Sequence, residues 1–468
     1  MYLLDLGRFS KAHSSKTDMS KIVKLKKGFD IKLEGEAKKE LADFTPAQTF
    51  AIKPTDFIGL QRPKVLVNVG DTVKAGTPVM FDKAMDQVIY AAPVSGEVVD
   101  VKRGEKRKLL EITILADQTI SHEDLGKADP KSLDRDALVA KLAAGGVWPQ
   151  LIQRPYGVVA NPEDTPKAIF ISGFDTNPLA ADYGFMLEGE EKYFQAGIDA
   201  LGKLTSGKVH LNLNGASAAP SVFANVSNAE INKVSGPHPA GNVGVQIHHI
   251  DPINKGDLLW TISPYGVIQI GKLMVEGVYD ASKTIAISGS EITNAAYVKT
   301  YMGANVSSFV KGNLNSGHVR VISGNVLTGE KISMDGFVGY YHNQITVIPE
   351  GDYEEFLGWL MPSTSKLSFH KALGMFSFLN KGKFKVDTNT HGEERPFVVS
   401  GVFEKVLPMD ILPTYLFKAI LAEDFDEMEE LGLYEIIEED VALCEFVDPS
   451  KNDLQKLVRS GVELLMYS

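Results

Sequence analysis

Few side chains in this sequence are placed for covalent or redox chemistry. Cys444 is its single cysteine, which excludes an internal disulfide, a four-thiolate zinc site and an iron–sulfur cluster held by this chain alone. His238 sits in Ser235-Gly-Pro-His-Pro-Ala-Gly241, among glycines and prolines that make a closely specified loop. Such a loop either presents the imidazole to a ligand or buries it as a cap for neighbouring backbone groups. His248 and His249 are adjacent; on a strand they point to opposite faces and cannot share one metal. Nucleotide chemistry needs glycines where backbone N–H groups approach a pyrophosphate. The apolar run Ala168-Ile-Phe-Ile-Ser172 predicts a buried parallel strand, and the residues after it lie where an open α/β sheet binds its ligand. Only Gly173 is there, followed by Asp175. Gly145-Gly146-Val147-Trp148-Pro149 offers two glycines but puts an indole in the phosphate's way. The expectation is a chain without a tightly held nucleotide, metal or catalytic base of its own.

A lysine raises a second kind of chemistry. Alternating valines bounded by Gly-Asp and Ser-Gly turns, at residues 65–76 and 92–101, predict a small flattened β-barrel with a quasi-two-fold. This resembles the biotinyl/lipoyl hammerhead, in which an Asp-Lys-Ala lysine carries the lipoyl group; Asp82-Lys83-Ala84 matches that triplet. Lys83 lies 12 residues after Asp71 and 9 before Ala92, so its hairpin is off-centre. An ordinary surface lysine is expected, with a swinging arm as the alternative.

The elements around these residues read as several domains. With 468 residues, 44% of them hydrophobic, the chain has material for more than one core. The charge balance of 48 basic against 60 acidic residues gives −12, which opposes nucleic acid and anionic membrane surfaces. No apolar run approaches the roughly 18 residues needed to cross a bilayer. Residues 1–20 lack the apolar core of a signal peptide and read as a disordered extension or a mis-set start, which makes the protein cytoplasmic by expectation. The fold class expected is multidomain α/β and β: a lipoyl-like β-barrel at 21–120, a Rossmann-like α/β domain at 121–256, a β-grasp (SLBB-like) domain at 257–350 and a mainly helical domain at 351–468. Helices at 134–144 and 190–204 and a strand at 208–214 give the α/β alternation. In the β-grasp unit, runs at 258–262, 266–273, 283–289 and 319–324 are expected as strands around one helix at 295–302. Aromatic-rich segments near 356–362 and 365–378 suggest either a partner surface or a local core. Residues 423–440 hold ten acidic residues among 18 and read as a solvated face. An amphipathic helix carrying Leu454, Leu457, Val458, Gly461, Leu464 and Leu465 ends the chain, with Ser450 or Asn452 as its cap.

Several long motifs then fall in order: Lys26-Lys-Gly-Phe-Asp30, the 70–76 and 92–98 barrel segments, Phe174-Asp-Thr-Asn-Pro-Leu-Ala-Ala181, Gly236-Pro-His-Pro-Ala-Gly241, Arg320-Val-Ile-Ser-Gly-Asn-Val-Leu-Thr-Gly329, Phe356-Leu-Gly-Trp359 and Leu407-Pro-Met-Asp410. From about residue 21 onward the chain resembles the NqrA family, the first-lettered component of the Na+-translocating NADH:quinone reductase. The resemblance implies a respiratory complex that passes electrons from NADH through flavins and iron–sulfur centres in other subunits to ubiquinone or menaquinone and exports Na+. NqrA is implied to bind no cofactor itself and to sit peripherally on the cytoplasmic face of the inner membrane, docked on the membrane component NqrB near the quinone site. It is similar in architecture to the flavin- and NADH-binding subunit of complex I, which keeps a Gly-rich flavin loop where this chain has Gly145–Pro149. Trp148, Arg154, Tyr156, His238 and Trp359 are the candidates for a quinone-proximal or subunit-facing surface, because an aromatic face with a donor suits a quinone. Alternatives are an assembly scaffold with no quinone contact, a lipoyl-type carrier and a stand-alone enzyme binding NADH or flavin.

Overall fold

Ala168–Ser172 is the centre of the largest sheet, and its apolar residues explain why: Ile169, Phe170 and Ile171 are fully buried between layers. The computed structural model describes residues 20–356, 363–370, 380 and 382–467. Seven strands lie in the order Ile22–Lys24, Glu230–Ser235, Lys208–Asn214, Ala168–Ser172, Leu259–Thr261, Ile152–Arg154, Val158–Val159. The first five are parallel, and Ile152–Arg154 runs antiparallel to both of its neighbours, Leu259–Thr261 and Val158–Val159. Helices Glu191–Leu201 and Pro264–Glu276 pack against each other beside the sheet.

Two expectations fail on secondary structure. Residues 266–273 are not a strand but the middle of helix Pro264–Glu276. Ser263 caps it by accepting from Gly266 N, Pro264 opens it, and Gly277 at φ 71° closes it. Those end signals outweigh the alternation of Val267, Ile268 and Ile270. Residues 295–302 are not a helix: Ala296–Tyr301 is a strand, antiparallel to Ser282–Ser288 with Ile285 opposite Val298. Leu259–Thr261 and the helix after it therefore belong with the α/β layer, on the far side of the boundary drawn at 256/257.

A six-stranded sheet follows, ordered Glu330–Ile332, Val319–Ser323, Gln344–Pro349, Ser282–Ser288, Ala296–Tyr301, Lys38–Leu41. Near the start of the chain, a four-stranded and a three-stranded sheet enclose Val73 and Val98 of the valine-rich segments together with Val79, Val88, Ile112 and Ile114. The early strands Ile22–Lys24 and Lys38–Leu41 join the two later sheets, so the first described residues lace the layers together. Helices Pro413–Ala422, Glu438–Val447 and Leu454–Tyr467 close a separate core around Leu416, Phe417, Leu443 and Val458. The last helix begins on Glu445 and Asp453, which accept from Gln455 N and Lys456 N, whereas Ser450 N and Asn452 N donate to Asp448. The expected extension at 1–20, apart from its last residue, and Trp359 lie outside the described residues.

Helices Glu191–Leu201 and Pro264–Glu276 meet through glycines. A Cβ on Gly271 would stand 1.8 Å from the Tyr193 carbonyl oxygen, and one on Gly197 would stand 2.1 Å from that of Val267. Gly271→Ala gains about 1 kcal/mol of helix propensity, yet overpacking typically costs about 1–3 kcal/mol and here forces backbone apart. Urea unfolding is expected to show a net loss of stability; a stabilised variant would mean that the helices do not touch there.

Candidate functional site

The crevice at the carboxyl end of Ala168–Ser172 is built first from backbone-directed side chains. Ser172 Oγ donates toward the Phe174 and Gly241 carbonyls, both at 2.9 Å, and accepts from Gln246 Nε2 at 2.8 Å. Asp175 Oδ1 accepts from Asn177 N at 2.7 Å and Nδ2 at 2.8 Å, folding the strand exit into a side-chain-stabilised turn. Burial raises the Asp175 pKa, and the Asn177 donors oppose that shift. Thr176 Oγ1 accepts from Gly241 N at 2.9 Å and lies 3.1 Å from His238 Nδ1. His238 N donates to Asp30 at 2.8 Å. The imidazole is 1% exposed, and burial, opposed by Asp30, lowers its pKa to about 4, so it is neutral at pH 7. The Gly-Pro-His-Pro loop thus buries its histidine between the strand exit and the chain's early segment.

The loop feeds helix Val243–Ile250, so His248 and His249 are on a helix and not a strand. His248 Nε2 accepts from Asp410 N at 3.0 Å, which leaves Nδ1 to donate to Glu435 at 2.6 Å. At the helix N-terminus, where an α/β sheet would hold a ligand's anionic group, the chain supplies its own carboxylates. Arg154 Nη2 lies 3.0 Å from Asp440 Oδ2 and 3.1 Å from Glu439 Oε1. The Arg154 and Asp440 side chains are 1% and 0% exposed. Gly244 covers them, since a Cβ there would fall 2.4 Å from both Arg154 Nη2 and Asp440 Oδ1. Asn242 Nδ2 donates to the Glu439 carbonyl at 2.9 Å, and Asp440 Oδ2 accepts from Ile437 N at 3.1 Å. Burial works against the Arg154 charge, but Asp440 and Glu439 raise its pKa overall. Glu439, whose side chain stays 38% exposed at the edge of the pair, has its pKa raised by partial burial and by Asp440, with Arg154 opposing.

The acidic run is therefore not a solvated face throughout. It opens helix Glu438–Val447 with three acids in the first turn, the end of a helix that favours negative charge. Glu438 pairs with Arg459, whose Nη1 donates to the Tyr156 carbonyl at 2.8 Å.

Of the sequence candidates, Arg154 and His238 are brought to this crevice, but both are buried and neither offers a surface to a partner. Tyr156 is half-buried next to it. Trp148 lies in the core, its Nε1 donating to Ala160 O at 2.7 Å and its ring edge-on to Trp260 at 5.5 Å. The Gly145-Gly146 turn is filled: a Cβ on Gly145 would meet Leu273 at 2.5 Å and one on Gly146 would meet Ala91 at 2.6 Å. Lys83 occupies the exposed turn between strands Pro78–Asp82 and Met85–Ala91, so it does stand at a hairpin tip. Sequence reasoning places Thr176 at the crevice and misses Glu439, Asp440 and Gly244. The one signal it offers is the Glu438-Glu-Asp440 triplet ahead of an apolar run, a helix start with no basic partner nearby in sequence.

The Glu439 shift carries a pH dependence. Partial burial and the neighbouring Asp440 raise its pKa above the ordinary range, with Arg154 opposing, so in the window just above that range the folded chain holds this proton more readily than the unfolded chain does. Stability from this group falls as pH rises through that window. Glu439→Gln cannot ionise; its urea midpoint is expected to exceed the parent's at pH 8, with the gain vanishing toward pH 4.5. An equal offset at both pH values would contradict the assignment.

Comparison with known proteins adds the following. Three family models match, described as the NqrA N-terminal barrel-sandwich hybrid domain at residues 23–117, the NqrA second alpha/beta domain at 133–279 and the NQRA C-terminal domain at 284–334. The NqrA component of the Na+-translocating NADH-quinone reductase of Rhodopirellula baltica is 37% identical over 447 residues, covering 94% of this chain and 97% of the relative. That of Pasteurella multocida is 35% identical over 446 residues, covering 94% and 99%. A chain of an NAD+-reducing NiFe hydrogenase aligns with TM-score 0.37 and 11% identity over 71% of this chain and 61% of that one, and no inference rests on that likeness. Matched along nearly its whole length and in each of its sheet-bearing units, the chain belongs to the NqrA family of Na+-translocating NADH-quinone reductase subunits.

Proposed function

We propose that this chain is the peripheral, cofactor-free component of a Na+-translocating NADH:quinone reductase, docked on the membrane component NqrB at the cytoplasmic face beside the quinone site. There it supports reduction of ubiquinone or menaquinone to quinol coupled to Na+ export. On this reading the early sheets form a lipoyl-like barrel, the seven-stranded sheet a Rossmann-like domain and the six-stranded sheet an SLBB-like β-grasp unit, followed by the helical unit.

The observation that carries the reading is the filled crevice. The helix N-terminus of Val243–Ile250 faces Asp440 and Glu439 of the same chain, and the paired glycines at 145–146 are packed against Leu273 and Ala91. A protein whose two cofactor-like turns are filled from within acts through the surfaces it presents. No described helix is long and apolar enough to cross a membrane, so attachment through a partner suits it. Val398, Val399, Leu412, Tyr415 and Leu421 of the helical unit are exposed and available to an apolar partner surface.

The test uses the membrane complex. Removing this component is expected to abolish quinone reduction while NADH-dependent dye reduction by the flavin-bearing subunits continues, and the purified chain should be colourless. Flavin absorbance co-purifying with the chain would contradict the reading. Photo-crosslinking with a quinone analogue then separates two forms of it: labelled peptides in this chain place it at the quinone, whereas label confined to the membrane partner leaves an assembly scaffold.

A further inference from the structure

Two consecutive helices of the C-terminal core leave apolar side chains uncovered. Along Pro413–Ala422 the buried pairs Pro413-Thr414, Leu416-Phe417 and Ala419-Ile420 alternate with the exposed residues Leu412, Tyr415, Lys418 and Leu421. Leu412, Tyr415 and Leu421 are each more than half exposed. Glu423 ends the helix at φ 55°, and Phe425–Glu430 follows at once and packs back on it through the buried Met428. Phe425 adds an exposed ring just past the turn. Large apolar side chains repeated along a helix face mark a surface that a neighbour covers.

Charge identifies the neighbour. Glu423, Asp424, Asp426, Glu427 and Glu430 are exposed at and after the turn, and none of them forms an ion pair among the described residues, whereas Glu429 is held by Lys255 at 2.6 Å. Lys418 is the one basic residue on the outward stripe. Five uncompensated acids beside apolar side chains repel an anionic lipid surface or an acidic protein and attract a segment that is both basic and apolar. Membrane proteins concentrate Lys and Arg in their cytoplasmic segments. The charge of this face is complementary to such a segment.

Given docking on the membrane component, we propose that this face receives a Lys/Arg-rich amphipathic cytoplasmic segment of it, with apolar side chains on Leu412, Tyr415, Leu421 and Phe425 and cations on the acids of the turn. Rebinding of the purified chain to inverted membrane vesicles that carry the complex without this component tests it. Saturable binding is expected, weakening with salt and by about tenfold or more in an Asp426→Asn, Glu427→Gln, Glu430→Gln triple variant. Leu421→Ser is expected to weaken it about threefold or more. All four positions are exposed, and an unchanged thermal unfolding curve verifies that each variant is folded. In the intact complex, a zero-length carbodiimide is expected to join these carboxylates to lysines of the membrane component. Rebinding that is equal in parent and variants, with no such crosslink, overturns the proposal and leaves docking elsewhere on the chain intact. No rebinding at all overturns the docking reading as well. Equal binding to vesicles that lack the whole complex would make lipid the occupant and overturn the proposal.

Discussion

The buried pairing of Arg154 with Asp440, edged by the half-exposed Glu439, is the constraint on which the arrangement of the molecule depends. It joins three elements far apart in sequence: strand Ile152–Arg154, the N-terminus of helix Val243–Ile250 and the first turn of helix Glu438–Val447. Burying an ion pair is not in itself a large source of stability, because desolvation offsets the attraction. Removing one partner is another matter, since it strands a charge at a cost of about 3–5 kcal/mol, a large part of the ~5–15 kcal/mol by which domains are stable. The pair therefore acts mainly as a specifier. It sets where the helical unit sits, and it requires a glycine at position 244, because any side chain there would collide with both charges. Neighbouring contacts follow the same logic: His248 with Glu435, and Arg459 with Glu438 and the Tyr156 carbonyl, connect the acidic segment to the α/β layer.

Much of the fold is legible in the residues because local and global preferences agree. Lys208–Asn214, Ala168–Ser172 and Arg135–Ala144 form as their patterns require, the last capped by Asp134. Where alternation and end signals conflict, the end signals decide: Ser263-Pro264 and Gly277 make a helix of a β-branched run. At Ala296–Tyr301 tertiary pairing decides instead, because the strand Ser282–Ser288 offers it a full antiparallel ladder. The crevice is only half legible. Glycines and prolines place the strand exit and the His238 loop, but a charge run cannot show that its partner is an arginine hundreds of residues earlier. Arg154 reads in the sequence as a donor for a ligand, and its partners prove to be within the chain.

A consistent physical character follows from the same geometry. Ile22–Lys24 and Lys38–Leu41 tie the early segment into the two later sheets, and the glycine contacts of Pro264–Glu276 lock that helix against Glu191–Leu201. The Gly145-Gly146 turn is packed against Leu273 and Ala91, and the N-terminus of Val243–Ile250 lies against Asp440 and Glu439.

The most direct test of the central claim is a double-mutant cycle between Arg154 and Asp440, using Arg154→Met and Asp440→Leu, read by equilibrium urea unfolding of the full chain. If the pair clamps the helical unit into the crevice, each single change costs on the order of 3 kcal/mol and the double change costs clearly less than their sum. Additivity within about 0.5 kcal/mol would contradict the account, because it would mean that the two charges do not depend on one another and that something else holds the crevice shut.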